Sequence, residues 1–194
     1  MHSATKFLGG HGDISGGIVV GSKNLVEPIA EYLNDFGGCM SPQTCHLLER
    51  SMRTLAIRVS KINENALQLA SHLQASKFVS RVYYPGLSDH PKHHVAKSQM
   101  SGFGGILSFE LDHRIDVSEF QKSLKLILSA NSLGDMETTL NSPYQASSSF
   151  MNLDPEDRIR SGVTKQLIRM SVGIESASDL TGDLDQALAT KFHE

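Results

Sequence analysis

Apolar side chains recur in steps of four and three along the first half of the chain, and this periodicity constrains the fold more than any other feature. Ser41 fits an N-cap, and Pro42 fits the first helical turn. The spacing predicts one helix over residues 42–75, roughly 50 Å long at about 1.5 Å per residue. A coiled coil has the same spacing, but the strand-like segments on either side favour a helix that joins two domains. The positions that share the apolar face are Leu48, Met52, Leu55, Val59, Ile62, Ala66, Leu69 and Leu73.

The segments before and after this helix have the short apolar runs and breakers of an α/β protein. Residues 16–21 (GGIVVG) predict a buried strand, and Ser22 fits the cap of a helix that reaches about residue 33. Beyond the long helix, three strands and two helices predict a small α/β unit. These strands are residues 78–84, 104–111 and 166–172, and the helices are residues 117–126 and 178–190.

Composition excludes several classes of protein. The 194 residues are 39% hydrophobic and 20% charged with a net charge of -3, which is typical of a folded globular protein and not of a disordered one. The 18 Lys and Arg are dispersed, so no basic stripe indicates nucleic acid, and no apolar run approaches the ~20 residues of a membrane helix.

Cys39 and Cys45 form neither a disulfide framework nor a zinc motif. We expect a cytoplasmic protein; an organelle remains the alternative.

A lysine beside hydroxyl residues and glycines is the first chemical signal. Ser3-x-Thr5-Lys6 leads into a stretch that contains Gly9 and Gly10. A lysine that forms a Schiff base needs an aldehyde held close to its amine, and a phosphorylated cofactor needs hydroxyl and N–H donors around its phosphate. The pattern is short, and many lysines that lie near glycines are ordinary solvated residues on the surface.

Longer segments, in chain order, resemble one family of pyridoxal-phosphate enzymes. This family acts on sulfur amino acids and includes methionine gamma-lyase, cystathionine gamma-lyase, cystathionine gamma-synthase and cystathionine beta-lyase. The matching segments are residues 2–21 (HSATKFLGGHGDISGGIVVG), Tyr84-Pro85-Gly86-Leu87 with His90-Pro91, Gly104-Gly105 with Ser108-Phe109-Glu110, Ser132-Leu133-Gly134 with Glu137, and residues 167–175 (LIRMSVGIE). The chain departs from the family pattern at Ser149-Phe150, where many members have Thr-His.

The resemblance implies an α/β fold of the aminotransferase-like type (fold type I). Residues 1–41 would be the end of the large cofactor domain, residues 42–75 the long connecting helix, and residues 76–194 the small C-terminal α/β domain. In the family, an upstream half supplies the rest of the cofactor pocket. We therefore expect this chain to be the C-terminal half of such an enzyme and to be inactive when isolated.

The same resemblance implies the roles of five residues. Lys6 matches the Schiff-base lysine, and Ser3 and Thr5 match residues that contact the cofactor phosphate. Ser132 and Arg169 match residues that hold the carboxylate of the amino acid. An arginine inside an apolar strand is consistent with this role, because a buried charge requires a partner. Taken without the family, the residues favour an ordinary ion pair for this arginine.

The implied function is pyridoxal-phosphate-dependent elimination or replacement at the γ- or β-carbon of methionine, cystathionine or activated homoserine. The alternative is a truncated, inactive fragment that acts at most as a dimerising remnant. The expected partners are a small sulfur amino acid and copies of the same chain, as a dimer or tetramer, without nucleic acid or membrane. His90-x-x-His93 is a loose metal motif, and a surface turn is the better interpretation, so we expect no metal.

Overall fold

The computed structural model describes residues 1–146 and 154–190. The chain divides into two compact units, Met1–Ile57 and Arg58–Glu194, each described here by itself. The predicted division into the end of a cofactor domain (residues 1–41), a connecting helix (42–75) and a small α/β domain (76–194) stays a prediction. The departure from the family pattern at Ser149-Phe150 lies outside the described residues.

The first unit is small and has few buried apolar side chains. Two very short strands pair antiparallel, with His2 opposite Ile18. A tight turn follows the first strand, and its buried residue, Ala4, packs with Ile14 and Leu48. The elements are β1 (His2–Ser3), the turn Ala4–Leu8, β2 (Gly17–Ile18), α1 (Lys23–Phe36) and α2 (Pro42–Met52).

The buried strand predicted over residues 16–21 is wrong in extent and in burial. Only Gly17–Ile18 is a strand, while Val19 is 37% exposed and Val20 is 73% exposed. The physical reason is the lack of neighbours, since the only strand that pairs with β2 in the described chain is the two-residue β1. An apolar run is buried only where other elements cover both of its faces.

The single helix predicted over residues 42–75 is two helices. α2 ends at Met52, and α3 spans Leu55–Gln74. Between them, the Thr54 amide and the Thr54 hydroxyl both donate to the carbonyl of Ser51, at 3.2 and 3.1 Å. These local bonds tighten the chain into a turn and replace the regular helical pattern. Ser41 caps α2 as predicted, because its hydroxyl accepts the Thr44 amide at 3.1 Å.

The second unit is a five-stranded mixed sheet with helices. The strand order is β3-β4-β7-β6-β5, with β5 and β6 parallel and the other neighbours antiparallel. Its elements after α3 are β3 (Val79–Tyr83), α4 (His93–Gln99), β4 (Ile106–Leu111), α5 (Val117–Ser123), β5 (Leu128–Ser129), β6 (Thr139–Asn141), α6 (Pro143–Ala146), α7 (Pro155–Arg160), β7 (Leu167–Ser171) and α8 (Ala177–Thr190). The three predicted strands and two predicted helices of this unit are confirmed with slightly different ends, whereas α4, β5, β6, α6 and α7 were not predicted.

Alternation along the central strands separates a core face from a polar face. The core face contributes Leu107, Phe109, Ile168, Met170 and Leu140, which pack with buried residues of α3, α5 and α8. On a sheet with a two-residue period, the intervening residues point to the other face. Ser108, Arg169 and Asn141 are therefore side by side on the polar face, in cross-strand register.

The histidines of the loose metal motif make local contacts. The His93 Nδ1 lies 2.8 Å from the carbonyl oxygen of Pro85, and the His90 Nδ1 accepts the Lys92 amide at 3.2 Å. Within residues 1–146 and 154–190, no three His, Cys, Asp or Glu side chains are grouped to hold a metal ion. No helix in this described part is long and apolar enough to cross a membrane.

Candidate active-site residues

Lys6 lies inside the turn Ala4–Leu8, in a backbone conformation that interrupts helical geometry (φ -94°, ψ -135°). Two backbone bonds close the turn around it: the Gly9 amide donates to the Ala4 carbonyl at 2.9 Å, and the Gly10 amide donates to the Lys6 carbonyl at 2.8 Å. The Lys6 side chain is half-buried. The turn therefore presents the lysine from a backbone that is fixed on both sides.

Two glycines explain why the turn can be this tight. Gly10 adopts φ +68°, a left-handed conformation that favours glycine. A Cβ on Gly9 would lie 2.7 Å from the Ala4 carbonyl oxygen and 2.8 Å from the Ile14 side chain. The glycine-rich segment after the lysine thus has a steric purpose, which is the close return of the chain onto Ala4.

The two hydroxyl residues next to Lys6 differ in how they are bound. The Thr5 hydroxyl oxygen accepts the Gly16 amide at 3.0 Å and lies 3.4 Å from the Gly16 carbonyl oxygen. Ser3 is exposed on β1, and its side chain caps no helix. The Ser3 hydroxyl is therefore the more available donor, while Thr5 also holds the turn against the segment before β2.

Arg169 lies on the polar face of β7 and is half-buried. Its Nη2 donates to the Asn131 carbonyl oxygen at 2.9 Å, whereas its Nε is buried and has no hydrogen-bond partner among the described residues. Burial lowers the pKa of the guanidinium from its usual value, but the group remains protonated. No salt bridge pairs it with an acid in the described chain, which argues against the ordinary ion pair.

Ser132 lies beside Asn131, whose carbonyl oxygen binds the guanidinium. Its hydroxyl donates to Asp135 Oδ2 at 2.9 Å, and its carbonyl oxygen accepts the Thr139 hydroxyl at 3.0 Å. The Asn141 amide, in register with Arg169, donates to Asn131 Oδ1 at 2.7 Å. The structure thus places Ser132 and Arg169 in one hydrogen-bonded neighbourhood of the second unit.

Sequence reasoning missed the residues that build this neighbourhood. Asn131, Asp135 and Asn141 belong to no motif in the chain, and Asn141 lies on a three-residue strand that has no readable period. The Asp135 side chain is buried, and its Oδ1 has no hydrogen-bond partner in the described part of the chain. Only the position of Asn131 next to Ser132 could have suggested its role.

The second unit thus holds a half-buried guanidinium next to the loop of Ser132 on a mixed sheet backed by helices, and the first unit holds a lysine in a turn closed by glycines. The model of the Cys/Met metabolism PLP-dependent enzyme family matches residues 1–189. The chain belongs to this family, whose cofactor is pyridoxal phosphate.

Similar proteins come from bacteria and plants. The chain is 44% identical over 189 residues to cystathionine gamma-lyase of Bacillus subtilis (strain 168), covering 97% of this chain and 49% of that relative. It is 42% identical over 189 residues to the chloroplastic cystathionine gamma-synthase 1 of Nicotiana tabacum, covering 97% of this chain and 35% of that relative.

Among solved structures, cystathionine gamma-lyase from Lactobacillus plantarum, in complex with L-serine, superposes with a TM-score of 0.91. It is 37% identical, and the match covers 98% of this chain and 50% of that one. The α/β fold predicted from the resemblance is confirmed by this similarity. The chain spans half or less of the length of these relatives.

Proposed function

We propose that these residues belong to an enzyme that performs elimination or replacement at the γ- or β-carbon of a sulfur amino acid, either methionine, cystathionine or activated homoserine. The observation that carries the proposal is the family match over residues 1–189. Relatives named gamma-lyase, beta-lyase and gamma-synthase share about the same identity with this chain. The proposal therefore covers both lysis and replacement, which share their first steps.

Ser3, Thr5 and Lys6 fit the cofactor of the family. Pyridoxal phosphate, when bound, supplies an aldehyde that condenses with amines and a ring that accepts electrons. A half-buried primary amine on a rigid turn suits the aldehyde, and the hydroxyls of Ser3 and Thr5 suit the phosphate. The exposed Ser3 hydroxyl supports this assignment more strongly than the Thr5 hydroxyl, which is already bonded to Gly16.

Lys6 is proposed as the proton carrier. Its Nζ, as a free amine, accepts the proton from the α-carbon of the amino acid and delivers a proton towards the carbon chain of the substrate. Proton transfer of this kind requires a base that returns to the same place in each cycle. The bonds from Gly9 and Gly10 that close its turn support such a role.

Arg169 and Ser132 are proposed to bind the α-carboxylate. A guanidinium can form two parallel hydrogen bonds with a carboxylate, which fixes orientation as well as charge. The buried Nε of Arg169 is a donor that lacks an acceptor among residues 1–146 and 154–190, and such a donor costs free energy until it is paired. Ser132 contributes from the adjacent loop, where Asp135 orients its hydroxyl.

The proposal extends to assembly and location. An assembly of identical chains, as a dimer or tetramer, is supported by the apolar side chains that α1 exposes, including Leu25 and Phe36. The same exposed face is the observation that favours the second candidate function, a dimerising remnant without activity. A cytoplasmic location is supported by two free, exposed thiols, Cys39 and Cys45, although relatives from plants are named chloroplastic.

A fusion tests the proposed activity. The chain is joined to the part of the Bacillus subtilis cystathionine gamma-lyase that it does not match, and keto-acid release from L-cystathionine is measured with added pyridoxal phosphate. We expect turnover, and we expect Lys6→Ala to abolish both turnover and the visible absorbance of the bound cofactor. The matched control is Lys61→Ala, an exposed lysine paired with Glu64. Full turnover in Lys6→Ala would disprove the assignment of the proton carrier.

A further inference from the structure

A polar network joins the loop that carries Ser132 to the turn that follows β7. This loop comprises residues 130–138, between β5 and β6, and the turn comprises residues 172–175. In the middle of the loop, the Gly134 amide donates to the Ser171 hydroxyl at 2.9 Å. Because Ser171 is two residues after Arg169 on β7, this bond already fixes the loop to the arginine strand.

At the end of the loop, just before β6, Glu175 binds Thr138 twice. Its Oε1 accepts the Thr138 amide at 2.5 Å, and its Oε2 accepts the Thr138 hydroxyl at 2.9 Å. The same hydroxyl oxygen accepts the Gly173 amide at 2.9 Å. One threonine hydroxyl therefore donates to Glu175 and accepts from Gly173, which joins the loop to the turn at two residues.

Asn65 holds the turn in place from α3. Its side chain is completely buried, and its amide nitrogen donates to the carbonyl oxygens of Gly173 at 3.1 Å and of Glu175 at 2.8 Å. A side-chain amide offers two donors, and both are used on this turn. The turn is thus fixed independently of the loop that it binds.

The backbones of loop and turn also touch directly. The Ile174 amide donates to the Met136 carbonyl oxygen at 2.8 Å. A Cβ on Gly173 would lie 2.0 Å from this same oxygen, so a side chain larger than hydrogen does not fit. The absence of a side chain at Gly173 is what allows the loop to approach this closely.

We propose that Thr138 and Glu175 are positioning residues for carboxylate binding, because they hold the loop that bears Ser132 in fixed register with the strand that bears Arg169. This inference rests on the proposed roles of Ser132 and Arg169. Neither positioning residue needs to touch the substrate. Without Thr138 and Glu175, the loop would keep its bonds at Gly134 and Met136 but lose the two side-chain bonds that join its end to the turn. The Asn131 carbonyl, the bound partner of Arg169 Nη2, would then be held less firmly.

Amide hydrogen exchange and NMR on the 194-residue chain test the inference. Thr138→Val keeps the shape of the side chain but removes the hydroxyl, and Thr138→Ser restores the hydroxyl. We expect Thr138→Val to accelerate exchange at the Gly173 and Gly134 amides by about tenfold, the effect of losing two hydrogen bonds, and to shift the Arg169 Nε–H resonance. Thr138→Ser should stay close to the parent chain. The control is Thr181→Val on α8, whose hydroxyl donates only to the carbonyl of Ser178.

A second variant keeps the test decisive if Thr138→Val fails to fold. Glu175→Gln retains the size of the side chain but replaces one carboxylate oxygen with an NH2 donor, so the two positions that accept the amide and the hydroxyl of Thr138 can no longer both accept. It should reproduce the faster exchange at Gly134 and the altered Arg169 resonance. An unchanged Gly134 amide and Arg169 resonance in these variants would overturn the inference, as would a Thr138→Ser chain that behaves like Thr138→Val.

Titration with L-serine separates this inference from the proposed function. In the parent chain, L-serine should perturb the Arg169 Nε–H resonance, and in Thr138→Val the same perturbation should need about tenfold more L-serine. If neither the parent chain nor the fusion responds to L-serine, the proposed carboxylate role of Arg169 is wrong, and the exchange data still decide whether Thr138 and Glu175 hold the loop.

Discussion

The Thr5 hydroxyl and the Gly16 backbone are bonded to each other in both directions. The Gly16 amide donates to Thr5 Oγ1 at 3.0 Å, and the hydroxyl lies 3.4 Å from the Gly16 carbonyl oxygen, which also accepts the Ala4 amide at 2.9 Å. The residue immediately before Lys6 is thereby tied to the segment that returns towards β2. The position of the lysine depends on this link.

Replacing Thr5 with valine should loosen the lysine turn. Valine matches threonine in shape but cannot accept the Gly16 amide, and losing such a bond costs about 1 kcal/mol. We expect exchange at the Gly16 amide to accelerate about fivefold, while Thr5→Ser, which keeps the hydroxyl, remains close to the parent chain. Hydrogen exchange followed by NMR measures both. Equal exchange rates in the valine and serine variants would mean that the hydroxyl does not hold the turn.

Replacing Arg169 with lysine in the fusion should raise the substrate requirement sharply. A lysine ammonium cannot offer the planar fork of a guanidinium, and it has no counterpart of the buried Nε. Losing a hydrogen bond to a charged group costs about 1.5–3 kcal/mol, so KM should rise by about 10–100-fold. Steady-state kinetics on L-cystathionine measure the change. The matched control is Arg81→Lys, since Arg81 is an exposed arginine on β3 that packs over the Tyr83 ring. A KM for Arg169→Lys that is no higher than the KM of this control would contradict the assignment.

Asp183 should make the second unit sensitive to acid. Burial alone would raise the pKa of its carboxyl, but backbone N–H donors of Ile127, Lys125 and Leu126 and the side chain of Gln186 outweigh burial and lower this pKa below its usual value. A carboxylate with a lowered pKa in the folded state stabilises the fold above its unfolded pKa of about 3.9. This stabilisation is lost as the pH falls below about 4 and through the folded-state pKa.

Substitution of Asp183 checks this expectation. Asp183→Asn keeps one acceptor oxygen and loses the charge, so we expect the free energy of unfolding at pH 7 to fall by about 2–3 kcal/mol. The acid side of the curve of stability against pH should also become shallower. Asp185 lies on the same helix as Asp183, and Asp185→Asn, which breaks an exposed pair with His72 of α3, should cost less than about 1 kcal/mol. Urea unfolding between pH 3 and 7 measures both variants, and equal losses would contradict the role of the buried carboxylate.

The long strands of the second unit could be predicted because their patterns are local. Residues 104–111 and 166–172 alternate or run apolar between breakers, and the structure has β4 and β7 there. β5 and β6 could not be predicted, since two and three residues carry no period and their pairing is set by β7. The break between α2 and α3 could not be predicted either, because the apolar spacing continues through it. It is caused by the Thr54 hydroxyl, which donates to the Ser51 carbonyl.

The site residues divide in the same way. Lys6 and Arg169 stand in segments long enough to resemble a family, so their roles could be expected from sequence, although those roles stay predictions. The network that holds the Ser132 loop could not be expected, because its partners are distant in sequence: Asn65 and Glu175 are 110 residues apart, and Thr138 and Glu175 are 37 apart. Folding, not local pattern, brings these residues together.

The apolar face of α1 should cause self-association. None of the side chains of this helix is buried, and five of its large apolar residues are exposed. Exposed apolar surface of this kind favours contact with another chain. We expect light scattering to show a mass that rises with concentration, and we expect the Leu25→Glu, Phe36→Glu double variant to stay closer to a monomer. A matched variant, Glu27→Gln with Glu31→Gln, should associate as the parent does. The exposed apolar residues of α1 that form this face are Leu25, Ile29, Tyr32, Leu33 and Phe36.

The 194-residue chain alone should bind pyridoxal phosphate weakly and turn over no sulfur amino acid at a measurable rate. Lys6 stands on a turn whose neighbouring strands are two residues each, and the core beneath it has three buried residues, Ala4, Ile14 and Leu48. Catalysis requires the reacting groups to be held in one geometry, and loss of that positioning can remove about 7–11 kcal/mol of barrier lowering. An amine will still react reversibly with an aldehyde, so labelling of Lys6 alone is no evidence of a competent site.

The measurement compares the chain with the fusion at equal concentrations of pyridoxal phosphate. We expect the visible absorbance of the chain to saturate only at high cofactor concentration and to decline little in Lys6→Ala, because several exposed lysines react at similar rates. In the fusion, the absorbance should saturate near one cofactor per chain and disappear in Lys6→Ala. The chain spans half or less of the length of its relatives, and the groups that clamp the ring would come from the added part. Rapid elimination by the chain alone, lost in Lys6→Ala, would show that these 194 residues already contain the groups that position the cofactor.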